Sequence, residues 1–247
     1  MAVRSEIAPI RKVLIHTPGS EHNYTLPKNT TEWVADESGQ LIHNPDYLLF
    51  DDIISPSGMA AEHNELENTL IAFTGKDHTY QFNDLLVDTL QSPAQRQELY
   101  SACSTLDQKL YGMEISVDTQ QILDLETPDF AAVLLSGRIT NPVLETVFKW
   151  PLPNLIFTRD IAVTLNNTLV LTWGRWPARQ REMLLMKHVA HHHPLFSSFT
   201  QFDFHTICPD LFLEGGDFIV LDEGTLLIGL SERNSKASIE AILPLFF

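Results

Sequence analysis

PLPNLIFTRDIAVTLNNTLVLTW, residues 151–173, holds two features that set the reading of the whole chain. NLIFTRD (154–160) is an apolar run that closes on an arginine and an aspartate, and it predicts a buried strand ending in two opposite charges. A salt bridge at a strand terminus would account for the pair. So would a carboxylate, Asp160, aimed into a pocket to hold a cationic substrate. IAVTLNNTLVLTW (161–173) follows as two β-rich runs joined at Asn166-Asn167, which predicts a tight hairpin.

Further along the chain, PARQREMLLMKHVAHHHPLF predicts a helix, with Pro177 near its start and Pro194 beyond its end. FLEGGDFIVLDEGTLLIGLS (212–231) predicts a second hairpin, turned at Asp222-Glu223-Gly224, and SKASIEAILPLFF opens a last helix. The order β-β-α, β-β-α predicts a repeated ββα-type unit. Toward the N-terminus, IRKVLIHTPG (10–19) is a short strand closed by a Pro-Gly turn. Residues 20–47 are polar and rich in turn formers, and they read as a loop. YLLFDDII (47–54) is a buried apolar run broken by two carboxylates. PSGMAAEHNELENTLIAF (56–73) is helical and ends near Gly75. Residues 76–148 are acidic, with helical periodicity in FNDLLVDTLQ and RQELYSACSTLDQKL, and read as a helical insert.

Composition narrows the function classes. The chain has 247 residues and a formal net charge of −16. Such a surface repels phosphate backbones and excludes nucleic acid as a partner. Its 44% hydrophobic and 19% charged residues are ordinary for a globular protein. The two cysteines, Cys103 and Cys208, form no disulfide framework and fit a reducing compartment. The N-terminus, MAVRSEIAPIRKV, has no apolar core of signal-peptide length, and no stretch approaches the ~18 apolar residues of a membrane span. The expectation is a cytoplasmic protein without membrane contact.

NLIFTRD, WPARQRE, LEGGDF and GLSERNS are polar clusters, each at the edge of an apolar element. They supply carboxylates (Asp160, Glu214, Asp217) and guanidinium groups (Arg179, Arg233). A site with both signs suits a zwitterion such as an amino acid, because arginines fork around a carboxylate and carboxylates clamp a cation. Ordinary ion pairs at strand ends and helix faces give the same pattern. Gly215-Gly216 fits either a sharp strand entry or a plain turn.

Taken in order, LIHTPG (14–19), LLFDD (48–52), PLPNLIFTRD (151–160), WPARQRE (176–182), LEGGD (213–217) and IGLSERNS (228–235) resemble the arginine deiminase family of guanidino-group-modifying hydrolases. The resemblance implies an α/β pentein fold, a propeller of ββαβ modules, with an inserted all-helical domain. It divides the chain into a first module at 1–75, a helical insert at 76–148 and incomplete further modules at 149–247. It implies that Asp160 and Glu214 hold the substrate guanidinium. Arg179, Arg233 and Asn154 hold the α-carboxylate, Phe157 and Leu49 line the aliphatic part, and Asp217 joins the binding set. Arg159 neutralises its strand end. The implied reaction turns L-arginine and water into L-citrulline and ammonia through a cysteine-bound amidino intermediate, with neither metal nor organic cofactor.

The family's catalytic histidine lies in an HxD motif beyond the SER motif, and its nucleophilic cysteine lies near the C-terminus. Neither has a counterpart here. Cys103 reads as a core residue inside the insert, and Cys208 reads as structural. The expectation is a truncated chain, inactive alone, or one half of a split enzyme, with a homo-oligomer or a C-terminal half as partner. A non-catalytic arginine-binding or interaction module is the rival. KHVAHHHP places His188 and His192 four residues apart, a spacing able to bind zinc. No carboxylate or cysteine sits at supporting spacing, and cationic residues also suit a helix C-terminus. The expectation is no metal site. EHNELE (62–67) reads as a polar helix face. The acidic insert reads as a solvated surface or a subunit contact.

Overall fold

In a computed structural model, which describes residues 2–50, 55–140 and 144–246, the chain is mixed α/β, with several small sheets. Strand β1 (Val13–Ile15) leads into the Pro-Gly turn. Glu21 is buried behind it, and accepts from the ring nitrogen of His16 at 3.1 Å and the Gly19 amide at 2.7 Å. Residues 20–47, expected as a loop, carry two 3-10 helices (Ser20–Tyr24, Pro27–Asn29) and an antiparallel hairpin of β2 (Trp33–Ala35) and β3 (Leu41–His43). That hairpin has no buried face, so it leaves no apolar alternation to read. Its turn holds it instead. The Asp36 carboxylate accepts from the amides of Ser38 and Gln40, at 2.8 and 3.0 Å, and Gly39 takes φ +82°. In the next apolar run, Leu48 and Phe50 are buried, and Asp51, Asp52, Ile53 and Ile54 lie outside the described residues.

Helix α1 (Pro56–Thr74) starts on the Ser55 hydroxyl, which accepts from the Gly58 amide, and stops at Gly75, at φ +85°. The helical segment then opens on a strand: β4 (Thr79–Gln81) pairs in parallel with β1. Helices α2 (Phe82–Thr89), α3 (Pro93–Tyr111), α4 (Thr119–Leu123) and α5 (Thr127–Ser136) follow, and then the short antiparallel pair β5 (Arg138–Ile139) and β6 (Glu145–Thr146).

NLIFTRD is not a strand. Pro153–Ile156 is a 3-10 helix and Thr158–Ile161 is one helical turn, α6. A three-residue apolar run does not distinguish strand from buried helix by periodicity. Pro153, which fixes φ and donates no hydrogen bond, sits at the start of the 3-10 turn. The hairpin after it forms where the sequence places it, with β7 (Ala162–Leu165) antiparallel to β8 (Thr168–Leu171) and Asn166 at φ +54°. Helix α7 (Pro177–His192) then crosses over to β9 (Thr200–Asp203), which pairs in parallel with β8; a parallel pair needs such a crossover. After α8 (Phe204–Ile207) comes the second hairpin, β10 (Phe218–Asp222) and β11 (Thr225–Ile228), and then α9 (Lys236–Ile242). The repeat ββα is present, with β9 and α8 between its two copies.

One cluster of buried apolar side chains runs from Phe82, Phe130 and Phe148 to Leu165, Leu185 and Phe218. The helical segment and the later sheets therefore share a core. A buried charge pair crosses the joint: Arg181 on α7 lies 3.4 Å from Asp107 on α3. Its Nε donates to the Leu134 carbonyl at 3.2 Å, and its guanidinium lies over the Phe148 ring at 4.6 Å. Among the described residues no helix is long and apolar enough to cross a membrane. Asp107→Ala strands the Arg181 charge and is expected to cost about 3–5 kcal/mol. Glu240→Ala only breaks the exposed Lys236–Glu240 pair and is expected to cost less than about 1 kcal/mol. Urea unfolding of the two variants checks the contrast.

Candidate functional site

Three separate pieces of chain bring their charges to one buried point. Helix α6 supplies Asp160, the first turns of α7 supply Arg179 and Glu182, and the 3-10 turn before β10 is preceded by Glu214. All four are nearly inaccessible to solvent. Arg179 Nη1 donates to Asp160 Oδ2 at 2.6 Å and reaches Glu214 Oε2 at 3.5 Å. Its Nε and Nη2 both donate to Glu182 Oε2, at 3.0 and 2.9 Å, and Nη2 also donates to the Asn154 carbonyl at 3.2 Å. Arg233, about half exposed, stands at the rim, 4.0 Å from Asp160 Oδ1 and 3.9 Å from Glu214 Oε2.

The carboxylates are held by the backbone around them. Thr172 Oγ1 donates to the Asp160 carbonyl at 2.7 Å. Asn234, fully buried, donates from Nδ2 to the Glu214 carbonyl at 3.0 Å and accepts from the Glu214 amide at 2.8 Å. The two glycines of LEGGD are required by close approach. A Cβ on Gly216 would stand 2.2 Å from Asp160 Oδ1, and one on Gly215 would stand 2.3 Å from the Arg159 carbonyl. Gly174 likewise leaves room beside Glu214: a Cβ there would lie 3.0 Å from Oε1.

Three buried carboxylates face one buried guanidinium, and the imbalance shows in their protonation. Burial opposes the charge of Arg179, but Glu182 and Asp160 more than offset it and hold its pKa above the ordinary value. Burial pushes Glu182 up to about 7 against the pull of Arg179. Burial also raises Glu214, with Arg179 opposing and Asp160 adding to the rise. Oε1 of Glu182 and Oε1 of Glu214 are buried without a hydrogen-bond partner. A carboxylate oxygen unmatched in this way can accept a further donor when ionised, or carry a proton.

The structure thus brings together Asp160, Glu214 and Arg179, with Arg233 at the edge. Asn154 contributes its carbonyl to Arg179, while its side-chain amide donates to the Leu48 carbonyl. That bond anchors the turn in which Leu49 takes φ +58°. Phe157 is 49% exposed. Asp217 is turned to the loop after β11, accepting from Ser231 Oγ at 2.6 Å and Asn234 Nδ2 at 3.2 Å. Arg159 donates to the Gly215 and Phe218 carbonyls, at 3.1 and 2.6 Å, and pairs with Glu6 at 2.6 Å. Glu182 and Asn234 were not singled out by the sequence. Glu182 lies three residues after Arg179 on a helix, a spacing that pairs side chains. Asn234, distant in sequence, gives no such signal. Cys103 is enclosed in the core on α3, where burial pushes its thiol up to about 12. Cys208 ends α8 and packs against the core.

Glu182 binds a proton in the native state that the unfolded chain releases. Its contribution to stability is therefore fullest below pH 4.5 and falls as pH rises toward 7. Glu182→Gln, which cannot ionise, is expected to remove this part of the slope, as read by denaturant unfolding across that window. Gly215→Ala is expected to cost about 1–3 kcal/mol, since its Cβ meets backbone; thermal unfolding checks it.

A family model described as arginine deiminase matches residues 46–247. The match takes in the entire charge cluster, its bracing asparagine and both glycines, and the chain belongs to the arginine deiminase family.

Proposed function

We propose that the cluster holds the guanidinium of L-arginine, and that the chain is the recognition part of a hydrolase converting L-arginine and water to L-citrulline and ammonia. One observation carries the reading: Asp160 and Glu214 already accept a guanidinium, that of Arg179, in a buried site where one Glu214 oxygen has no partner. Substrate would take over these carboxylates. Arg179 would then be released to join Arg233 and Asn154 at the α-carboxylate, so that one guanidinium replaces another at the two carboxylates. Phe157 and Leu49 would line the aliphatic chain, with Asp217 supporting the rim from its loop. In the same proposal the chain is a pentein with modules at 1–75 and 149–247 and a helical domain at 76–148.

Hydrolysis at the guanidinium carbon needs a thiolate to attack it and an acid to protonate departing ammonia. Water then releases the ureido product from sulfur. The clamp would fix the carbon for attack and steady its charge. Cys103 is enclosed in the core and Cys208 sits at the end of α8, so the proposal places nucleophile and acid on a segment outside these 247 residues. A binding module or one half of a split enzyme is the second reading. It is favoured by the apolar side chains on and beside the second hairpin, where Ile219 is 46%, Leu227 49% and Leu230 71% exposed. A further module would cover them.

Calorimetry is expected to show binding of L-arginine and none of L-citrulline, whose ureido group is neutral. Asp160→Asn and Glu214→Gln are each expected to weaken arginine about 10–100-fold. Equal affinity for arginine and citrulline would refute the clamp. Citrulline release by this chain alone at enzyme-like rates would refute the separate nucleophile.

A further inference from the structure

The histidines at the end of α7 lack a supporting ligand in the sequence, and the fold supplies one. Helix α3 packs along α7 and brings Glu98 to His188 and His192. One donor atom from each of the three lies within 4.8 Å of the others. We propose that Glu98, His188 and His192 bind a single zinc-class divalent ion, completed by water, that ties α3 to α7.

Several observations converge on this set. His192 Nε2 and Glu98 Oε2 are 3.5 Å apart. That is long for a hydrogen bond but matches the ~3.3–3.6 Å between neighbouring donors on a tetrahedral ion with bonds of about 2.0–2.2 Å. The i, i+4 imidazoles stand with ring centroids 4.5 Å apart, on one face of the helix. His188 is 95% buried, yet its Nε2 has no hydrogen-bond partner, a cost the fold bears without return unless something binds there. The side-chain amide of Gln95, one turn before Glu98 on α3, lies 3.0 Å from His192 Nδ1. The atom facing Nδ1 is the amide nitrogen, and a half-turn of the amide would put its oxygen there to accept an Nδ1–H and leave Nε2 free to ligate. Two imidazoles and a carboxylate suit zinc and cobalt rather than calcium or magnesium.

The adjacent histidines serve as internal controls. His193 faces Asp88 at 3.5 Å, and its Nδ1 accepts from the Leu195 amide. His191 is exposed on another side of the helix. The test uses tag-free, chelator-stripped protein titrated with zinc against a chromophoric chelator, and with cobalt followed in the visible spectrum. One equivalent of zinc is expected, with the intense visible bands of tetrahedral cobalt. The melting midpoint is expected to rise by about 5–10 °C at a zinc concentration ~100 times Kd. His192→Ala and Glu98→Gln are each expected to weaken binding about tenfold or more, and His191→Ala to leave it unchanged. Glu98 is exposed, so its variant folds even if His188→Ala does not. Unaltered zinc affinity in both Glu98→Gln and His192→Ala, octahedral cobalt only, or loss of binding in His191→Ala would overturn the proposal.

Discussion

Everything around the site depends on how one buried guanidinium is neutralised. Arg179 has no water to share its charge, so three carboxylates on three different elements converge on it. That convergence sets the position of α6, the first turn of α7 and the approach to β10. The glycines of LEGGD follow from it, because Asp160 reaches its place only where the facing backbone has no side chain. Asn234 follows too, since its amide fixes the strand-like segment that delivers Glu214. A buried pair of this kind adds little stability over an apolar core of equal volume. What it contributes is a single arrangement: any slip of one element leaves a charge in low dielectric without a partner.

The parts legible in the sequence are those that rest on local rules. The hairpin at Asn166-Asn167, the helix between Pro177 and Pro194 and the hairpin at Glu223-Gly224 are all specified by residues within a few positions of their own turns. Asp160, Glu214, Arg179 and Arg233 were legible as charges at element edges, and the fold brings them within reach of one another. NLIFTRD misled because three apolar residues carry no period, and the proline before them sits at the start of a turn. The β2–β3 hairpin was invisible because both its faces are wet and its stability lies in the Asp36 turn.

Long-range partners escaped for a different reason. Glu98 is 90 residues from His188 in sequence, and Asn234 is 20 residues from Glu214. Neither spacing corresponds to any helical or strand period, so only the fold makes them neighbours. The acidic helical segment read as a solvated surface, yet Asp107 within it is buried against Arg181. A charge that completes a joint looks, in sequence, like any other charge on a helix.

Arg179, Gln180, Arg181 and Glu182 are consecutive and all buried. Successive helical residues point about 100° apart, so this turn of α7 is enclosed on every side. Arg181 faces α3, Gln180 donates to the Gly174 carbonyl, and Arg179 and Glu182 face α6. No one of these neighbours can dock on the helix and leave the rest for later without stranding polar groups away from water. The helical segment, through Asp107 on α3, and the segment after residue 149 therefore depend on the same turn. Opening either side of α7 exposes the other, which couples the stability of α3 and α6 through this one turn.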